Sequence, residues 1–326
     1  MPSVAAKGRT GSEARKPNTR SKSYQLKMRL KRTWPLYVFL LLPLIYLAVV
    51  QYYPMYGAQI AFKDFKAGLG IAGSPWVGLK HFKRFFNDYQ FWRILPNTLI
   101  LSFYSLLATF PMTILLSLMM NTVRSNGYRK AVQMITYMPH FISTVVMVGI
   151  LVQFLNPRIG MLAQFLQMLG GTDRDLMGLP QAFPHLYVWS GIWQNVGWGT
   201  IIYLAALASV DPSQHEAALI DGANRLQRML YVDLPAILPT AIIMLILDAG
   251  RIMNIGFEKV FLMQNDLNLS ASEVISTYVY KMGIGGTGRS DFSYGAAIGL
   301  FNSAVNFILV VTVNQISKAM KQNSLW

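Results

Sequence analysis

Six long apolar runs constrain the fold of this chain more than any other feature of its sequence. Runs of about 20 residues are typical of helices that cross a hydrocarbon core of ~30 Å. Inside a membrane the backbone must satisfy its own polar groups, which favours helices over irregular chain. The sequence therefore predicts an all-α, polytopic membrane protein with six transmembrane helices. The runs cover approximately residues 35–53, 96–121, 131–155, 185–209, 235–256 and 294–316.

The composition excludes several other classes of protein. Of the 326 residues, 53% are hydrophobic and 13% are charged, which is too apolar for an ordinary soluble domain. The chain has no cysteine, which excludes disulfides, zinc–thiolate sites and iron–sulfur clusters. The four histidines lie in separate segments, and Leu219 stands where a zinc-protease motif starting at His215 would need its second histidine. We expect this chain to bind neither a metal nor a cofactor.

The charge of the chain is concentrated at its N-terminal end. Residues 1–34 hold ten Lys or Arg and one acid, within a net charge of +15 for the whole chain. This composition predicts a basic, largely disordered cytoplasmic tail that faces anionic lipid. No aromatic or fold signal of nucleic-acid binding accompanies it. The apolar run that follows is too long for a signal peptide and lacks a cleavage site, so we interpret it as a retained helix.

The connections between the runs predict the orientation of the chain. With the N-terminus inside, the cytoplasmic segments hold 17 Lys or Arg and the outer segments hold 11. Six of those 11 lie in the outer loop at 54–95, which weakens the bias locally. The dense N-terminal tail should dominate, because positive charge near a membrane helix favours the cytoplasmic side. We therefore expect both termini, and the loop at 209–234, to be cytoplasmic.

The polar segment at 211–235 stands out between two apolar runs. Asp211 is a good N-cap for a short helix, and Gln214 stands where a capping box needs it. Gly222 permits a turn, after which a second short helix can form. Two short helices with small residues at their bend indicate a docking surface. The pattern alone leaves an ordinary interfacial loop as an open alternative.

The same segment resembles a known family motif. Glu-Ala-Ala at 216–218, Gly222, Val232 and Leu-Pro at 234–235 are similar to the EAA loop of binding-protein-dependent ABC importers. That motif has Ile where this chain has Val232, a difference of one methyl group. The resemblance implies a coupling helix that sits in a cleft of an ATPase subunit. It assigns coupling to Glu216, Ala217, Ala218, Gly222, Leu234 and Pro235.

The outer loop carries a second pattern. Leu79, Phe82 and Phe86 fall on one face of a helix with bases on the other, which predicts a helix lying on the membrane surface. Gly78-Leu79, Phe91-Trp92 and Asn97-Thr98-Leu99 are similar to sugar permeases of the maltose-transporter type. Three further stretches resemble permeases for oligosaccharides released from alginate, pectin and related polysaccharides. They are Phe62-Lys63-Asp64-Phe65, Ser74-Pro75-Trp76-Val77-Gly78 and Ser324-Leu325-Trp326.

Polar residues inside the apolar runs are candidates for lining a solute passage, since sugars need polar and aromatic contacts between helices. Asp248 and Arg251 should share one helical face, which Asn254 extends, and they form an ion pair, line the passage, or both. Asn302 and Asn306 lie one turn apart, so hydrogen bonding between helices is the alternative there. For the tryptophan and asparagine of the fourth run the alternative is an interface anchor. The candidates are Trp193, Asn195, Asp248, Arg251, Asn254, Asn302 and Asn306.

The resemblance implies the permease subunit of a type I ABC importer, with a six-helix permease domain at 35–326. Its implied partners are a second, related permease, two ATPase subunits, an extracytoplasmic solute-binding protein, membrane lipid and oligosaccharides from polysaccharide breakdown. ATP and Mg would belong to the ATPase subunits, because GxxxxGK[ST] occurs nowhere in this chain. The chain would therefore be no enzyme itself, and it would lie in the bacterial inner membrane.

Two other classes of function remain open from the residues alone. A stand-alone ion-coupled secondary transporter would show coupling-ion ligands or inverted repeats. Asp248 is the one residue that could serve as such a ligand. A membrane-bound enzyme is a weaker interpretation, because the sequence shows no nucleophile–base set. Stable association with a P-loop ATPase would favour the importer, and ion-driven uptake by this chain alone would favour the secondary transporter.

Overall fold

The computed structural model describes residues 22–170, 175–253, 255–285 and 290–319. Within those ranges the chain is helical, and its extended segments form only the isolated bridge between Lys63 and Trp76. The chain divides into two compact units, residues 1–57 and 58–326. The predicted all-α class is confirmed. The helix at Lys22 begins inside the basic tail, whose first 21 residues lie outside the described ranges.

The first unit contains α1 and α2, joined by the π-helical turns Leu47–Tyr52. The second unit begins with short helical turns and then holds the long helices. Short 3-10 turns cover Tyr56–Phe62, Ala67–Leu69, Met138–Phe141 and Leu176–Gly178, and a π-helical turn covers Met229–Asp233. The α-helices are α1 Lys22–Tyr46, α2 Tyr53–Met55, α3 Gly70–Gly73, α4 Lys80–Asn87, α5 Phe91–Thr122, α6 Asn126–Tyr137, α7 Thr144–Leu155, α8 Met161–Met168, α9 Phe183–Leu207, α10 Pro212–Ile220, α11 Arg225–Arg228, α12 Leu234–Ala249, α13 Phe257–Met263, α14 Leu269–Ser272, α15 Ile275–Gly283 and α16 Phe292–Ala319.

Four helical segments in the described part of the chain are long and apolar enough to cross a membrane: Lys31–Phe62, Phe91–Thr122, Arg225–Ala249 and Phe292–Ala319. A fifth is counted if the bent pair Asn126–Phe141 and Thr144–Leu155 forms one span. The fourth predicted run corresponds to α9, a helix of 25 residues with three tryptophans and several polar side chains. This helix is not among those that are apolar enough to be counted as membrane-spanning, so the sixth span stays a prediction.

Two predicted spans differ in shape from the helices that form. The third run bends by 99° between α6 and α7. Pro139 lies in the connecting turn, and the Ser143 hydroxyl caps the new helix by accepting from the Val146 N–H at 3.3 Å. The fifth run was expected to continue to residue 256, but α12 ends at Ala249 and the chain turns. In that turn the Asn306 side chain accepts from the Met253 N–H at 3.0 Å, replacing a helical hydrogen bond.

The interior of the second unit is built around α5 and α9, which pack along each other. Gly197 permits α6 to cross α9 closely, because a Cβ at this position would overlap the Thr136 carbonyl. The buried apolar side chains form three clusters, and one of these lies at each end of the α5–α9 pair. The third cluster centres on Phe85, Tyr294 and Ile94, where α4, α5 and α16 meet. These contacts leave α10 and α11 outside the clusters of buried residues.

The predicted surface helix exists as α4. Its buried residues are His81 and Phe85, whereas Leu79 and Phe86 are exposed. The Phe85 ring packs edge-on against the rings of Phe91 and other aromatic residues of the third cluster. The side that α4 packs against the chain therefore differs from the apolar face expected to lie on the membrane, and that membrane contact stays a prediction.

Candidate functional site

The loop between α9 and α12, residues 209–234, forms two capped short helices, as predicted. The Asp211 carboxylate accepts from the Ser213 N–H at 2.9 Å and so caps α10. This hydrogen bond lowers the pKa of Asp211 from its usual value. The reciprocal capping box lies one helix later than the position expected at Gln214. The side chain of Asn224 accepts from the Gln227 N–H at 2.9 Å, and the Gln227 side chain accepts in return at 2.8 Å.

The two helices are joined by a bend at Gly222. Its φ of +80° is a left-handed conformation, which side chains other than glycine rarely adopt. The predicted turn at this residue is therefore confirmed, with a backbone reason for glycine. After α11 the chain runs through the π-helical turn Met229–Asp233 directly into α12, which Leu234 and Pro235 begin. The second half of the loop is thus part of the continuous segment Arg225–Ala249, which is long and apolar enough to cross a membrane.

The loop leaves large apolar side chains in the open. Ile220 is 86% exposed and Tyr231 is 77% exposed, values that a packed core residue never reaches. The Glu216 and Ala217 side chains beside them are exposed, and Ala218 is half-buried. We call this surface the loop face. It comprises the half-buried Ala218 and the exposed residues Glu216, Ala217, Leu219, Ile220, Leu226, Leu230 and Tyr231.

Behind the loop face, a buried carboxylate ties the loop to two long helices. Asp233 is 2% exposed at the start of α12. Its Oδ1 atom accepts from the Asn121 amide of α5 at 3.1 Å and lies 3.2 Å from Nε2 of His215 on α10. A cavity of about 550 Å³ adjoins this contact, and Arg124 and Arg228 are among its lining residues. Sequence reasoning missed this contact, since nothing in the spacing of the three residues indicates it.

Asp248 and Arg251 come together at one cavity, as expected for neighbours in the fifth run. The cavity measures about 270 Å³, and Tyr187 of α9 lines it as well. Because α12 ends at Ala249, Arg251 lies in the following turn and not on a shared helical face. Both charged side chains are exposed, and among the described residues no ion pair joins them. The expected mutual ion pair is therefore absent from this structure.

Hydroxyl groups of α5 complete the polar lining of that cavity. Ser102, Ser105 and Thr109 line it from one side of α5. The Ser102 hydroxyl donates to the Ile252 carbonyl, while Ser105 Oγ is buried without a hydrogen-bond partner among the described residues. Sequence reasoning missed this stripe, although polar residues at spacings of three and four in an apolar helix were a signal available to it.

The other lining candidates lie elsewhere. The Asn306 side chain is used at the end of α12, as its hydrogen-bonding alternative predicted, and Asn302 lines a separate groove. Trp193 and Asn195 are exposed on α9 and do not line the cavity of Asp248, as far as the described residues show. The Asn195 amide oxygen accepts from Nδ1 of His140 at 3.0 Å. The candidate Asn254 lies outside the described residues.

Comparison with known proteins gives a family and several full-length relatives. A family model described as "Binding-protein-dependent transport system inner membrane component" matches residues 110–322. Protein LplB of Bacillus subtilis (strain 168) is 41% identical over 308 residues, 94% of this chain and 96% of LplB. The polygalacturonan/rhamnogalacturonan transport system permease protein YteP of the same organism is 39% identical, over 94% of this chain and 95% of YteP.

A solved structure agrees with these relatives. It is described as a bacterial alginate ABC transporter in complex with alginate pentasaccharide-bound periplasmic protein. The matching chain is 38% identical, with a TM-score of 0.83, over 92% of this chain and 100% of that chain. The likeness therefore extends over the whole length of a transporter subunit and is not confined to the loop.

Proposed function

This chain belongs to the family of binding-protein-dependent transport system inner membrane components, and from that premise we propose how its loop and its cavity serve transport. It is an inner-membrane permease subunit of an ABC importer for sugars or oligosaccharides, and it is not itself the ATPase. Family membership thus decides against the stand-alone secondary transporter. What the proposal adds is a role for particular residues, a set of partner subunits and a class of oligosaccharide.

The loop face is the observation that carries the coupling proposal. Several large apolar side chains exposed together on a loop outside the apolar runs, among them Ile220 at 86%, mark a surface that another protein covers. The proposed partner is the cleft of a separate ATPase subunit that holds ATP and Mg, with two such subunits beneath two related permeases. Glu216 faces a basic or hydrogen-bonding group of that cleft, and Ala217 and Ala218 let the helix approach it. Gly222, Leu234 and Pro235 hold the bend and the entry into α12.

The cavity that Asp248 and Arg251 line is proposed to be part of the passage for the solute. A charge exposed within or next to a membrane-length helix needs water or a partner group, since contact with hydrocarbon costs several kcal/mol. An aqueous passage supplies both. Trp193 and Asn195 are exposed on α9 away from this cavity. They line the same passage in the arrangement proposed here, in which the passage runs between two permeases. Asn254 and Asn302 remain lining candidates on their sequence position, and Asn306 supports the end of α12.

A double-mutant cycle tests whether the two charges interact across the cavity. Asp248→Asn and Arg251→Gln should each reduce uptake, because each removes one of two opposite charges that attract each other in the lining of the cavity. The double variant should lose less than the two effects combined, since the groups share one cavity. Uptake into proteoliposomes that contain the assembled complex is the measurement. Strictly additive losses would show that the charges act independently, and lining without pairing would replace the proposal.

The proposed cargo is an oligosaccharide released from a polysaccharide, delivered by an extracytoplasmic binding protein. The relatives support this class: one is named for polygalacturonan and rhamnogalacturonan, and one was solved with an alginate pentasaccharide on its periplasmic protein. The test is ATP-dependent uptake by the reconstituted complex with its own binding protein, over a panel of alginate, galacturonate, arabinose and maltose oligomers. Saturable uptake of oligomers supports the proposal. Uptake of monosaccharides alone, or of no sugar in the panel, contradicts it.

The orientation of the chain is part of the same proposal. Both termini and the loop face lie in the cytoplasm, as the distribution of Lys and Arg predicts. The chain has no cysteine, so single cysteines at Ser125, Ser213 and Ser290 report on topology without background. An impermeant thiol reagent should label position 290 from outside and spare the other two. Labelling at 213 from outside would reverse the orientation and remove the loop face from the ATPase.

A further inference from the structure

The contact between His215 and Asp233 joins three elements that the coupling loop must move together. His215 lies on α10, Asp233 lies at the start of α12, and Asn121 lies in the last turn of α5. Both His215 Nε2, at 3.2 Å, and Asn121 Nδ2, at 3.1 Å, reach the same oxygen of the Asp233 carboxylate. Within the described part of the chain, no other residue of α10 lies within ion-pair distance of a side chain of opposite type.

The rest of α10 is held weakly. Every residue of this helix keeps part of its surface exposed, so packing against the interior contributes little. Its C-terminal end meets the bend at Gly222, and α11 follows through exposed residues. A displacement of α10 would therefore reach the long helices mainly through the chain itself or through the side chain of His215.

The burial of Asp233 makes breaking its contact with His215 energetically costly. A carboxylate that is 2% exposed cannot exchange a lost protein partner for water. If α10 moved by a few ångströms alone, Asp233 would keep only the Asn121 amide. Moving α12 and the end of α5 together with α10 preserves the pair, and the adjoining cavity of about 550 Å³ leaves room for such a movement.

The backbone at Asp233 fits the same interpretation. The residue ends the π-helical turn Met229–Asp233 that separates α11 from α12. π-helical turns are rare overall, and those that do occur often lie at functional sites, where the geometry of a helix changes. The other charged groups at the cavity are Glu216, Arg124, Arg225 and Arg228, and none of them forms an ion pair with Asp233 among the described residues.

We propose that His215 is the positioning residue that transmits movement of the coupling helix α10 to α12 and α5 through the buried carboxylate of Asp233. This inference rests on the proposed coupling function of the loop. It makes a distinction within the loop: the loop face binds the ATPase, whereas His215, on the inner side, passes the movement on. Losing His215 should therefore uncouple the complex without dissociating it.

The test uses the whole reconstituted importer with His215→Ala, His215→Gln and Asp233→Ala. Uptake is followed with an alginate pentasaccharide or a galacturonate oligomer, whichever the wild-type complex accepts. His215→Ala should retain ATPase subunits and ATP hydrolysis, while uptake per ATP falls about tenfold or more, as expected for losing a hydrogen bond to a charged group. His215→Gln is the matched control, because its amide nitrogen reaches the position of Nε2, and it should stay within about twofold of wild type.

The double variant His215→Ala with Asp233→Ala should be no worse than the poorer single variant, because both changes break one contact. Wild-type uptake per ATP in His215→Ala would overturn the proposal. So would equal losses in His215→Ala and His215→Gln, or release of the ATPase by His215→Ala, which would assign this residue to docking. The proposed function fails by a different result, namely an ATPase that stays bound and coupled when the loop face itself is altered.

His215 is partly exposed, with 29% of its side chain accessible, so replacing it should not prevent folding. Asp233→Ala carries more risk because the carboxylate is buried. If it does not fold, the comparison of His215→Ala with His215→Gln still decides the proposal on its own.

Discussion

Two polar regions of this permease differ in how they satisfy their side chains. In the described residues of 62–94 and 264–294, here the ion-paired region, Asp64, Glu273 and Asp291 form ion pairs within the chain. The side chain of Glu273 is 7% exposed and pairs with both Arg93 and Lys281, the latter at 2.9 Å. Asp88 accepts from the hydroxyls of Tyr278 and Tyr294 at 3.1 and 3.0 Å.

The loop at 209–234 shows the opposite arrangement. It caps its own helix ends and pairs Asp233 internally, but it leaves Leu219, Ile220 and Tyr231 exposed. Beside them Glu216 is also exposed, and it forms no ion pair among the described residues. The difference lies in the charged groups and not in the apolar ones, because both regions expose large apolar side chains: Glu273 of the ion-paired region is paired within the chain, whereas Glu216 of the loop face is left for the proposed partner.

The largest effect should come from enlarging small residues of the loop. Ala218→Trp overpacks the surface proposed to meet the ATPase, and Gly222→Asp places a side chain where φ is +80°. Overpacking commonly costs ~1–3 kcal/mol, enough to weaken a docking contact severely. Both variants should insert in the membrane and pair with the second permease, yet lose transport. Uptake by the complex and the amount of co-purified ATPase are the measurements.

Matched controls come from the outer loop. Ala72→Trp and Gly68→Asp make the same changes at exposed positions, and a Cβ at Gly68 would meet no neighbouring atom. These controls should transport normally. If Ala218→Trp and Gly222→Asp also transport normally, the contrast between the two regions does not reflect partner binding, and the loop is an ordinary connection.

A smaller effect is expected from breaking the ion-paired region. Glu273→Ala leaves Arg93 and Lys281 without their shared carboxylate, and removing one partner of a buried pair costs about 3 kcal/mol or more. The purified permease should therefore unfold at lower temperature, with ATPase binding retained if it is assembled below that temperature. Glu258→Ala is the control at an exposed acid, which should change stability by no more than about 0.5 kcal/mol. Equal stability of the two variants would mean that the pairs contribute nothing.

A further effect concerns the pH dependence of stability. Burial lowers the pKa of Lys259 to about 7 from an ordinary value of 10.5. Its ammonium donates to the Tyr187 carbonyl at 2.7 Å and lies over that ring. Below about pH 7 the lysine is charged in both states and the full burial penalty applies. Between pH 7 and 10.5 the unfolded chain binds more protons, so the free energy of unfolding rises with pH.

Replacing this lysine isolates its contribution. Lys259→Met should flatten the rise in thermal stability over that pH window, while Lys83→Met, at an exposed lysine of α4, should leave the rise unchanged. Thermal unfolding of the purified permease at several pH values is the measurement. A slope that survives in Lys259→Met would assign the pH dependence to other groups.

Much of the fold follows from local sequence signals. The apolar runs located the long helices α5, α9 and α16, and the cap at Asp211 and the glycine at 222 located the short helices of the loop. These features depend on neighbours in the chain, so periodicity and capping rules capture them. The family motif added the coupling role, which no pattern within one chain specifies.

The features that sequence reasoning missed depend on contacts between distant residues. The early end of α12 is supported by Asn306 of α16, and the polar stripe of α5 becomes a cavity lining only where Tyr187 and Arg251 meet it. In the same way, His215 and Asp233 look like unrelated polar residues until the loop folds back. Tertiary packing fixes such sites, and local propensity does not determine which polar residues it brings together.

The central claim is that the loop face lies against an ATPase subunit, and cross-linking measures this directly. Single cysteines at Ala218 and at Ser290 are introduced into this cysteine-free chain and each is labelled with a photoreactive maleimide in the assembled complex. Illumination should join position 218 to the ATP-binding subunit and leave position 290 unlinked to it. An intact, transporting complex in which position 218 yields no such product, or in which position 290 yields as much, would contradict the account.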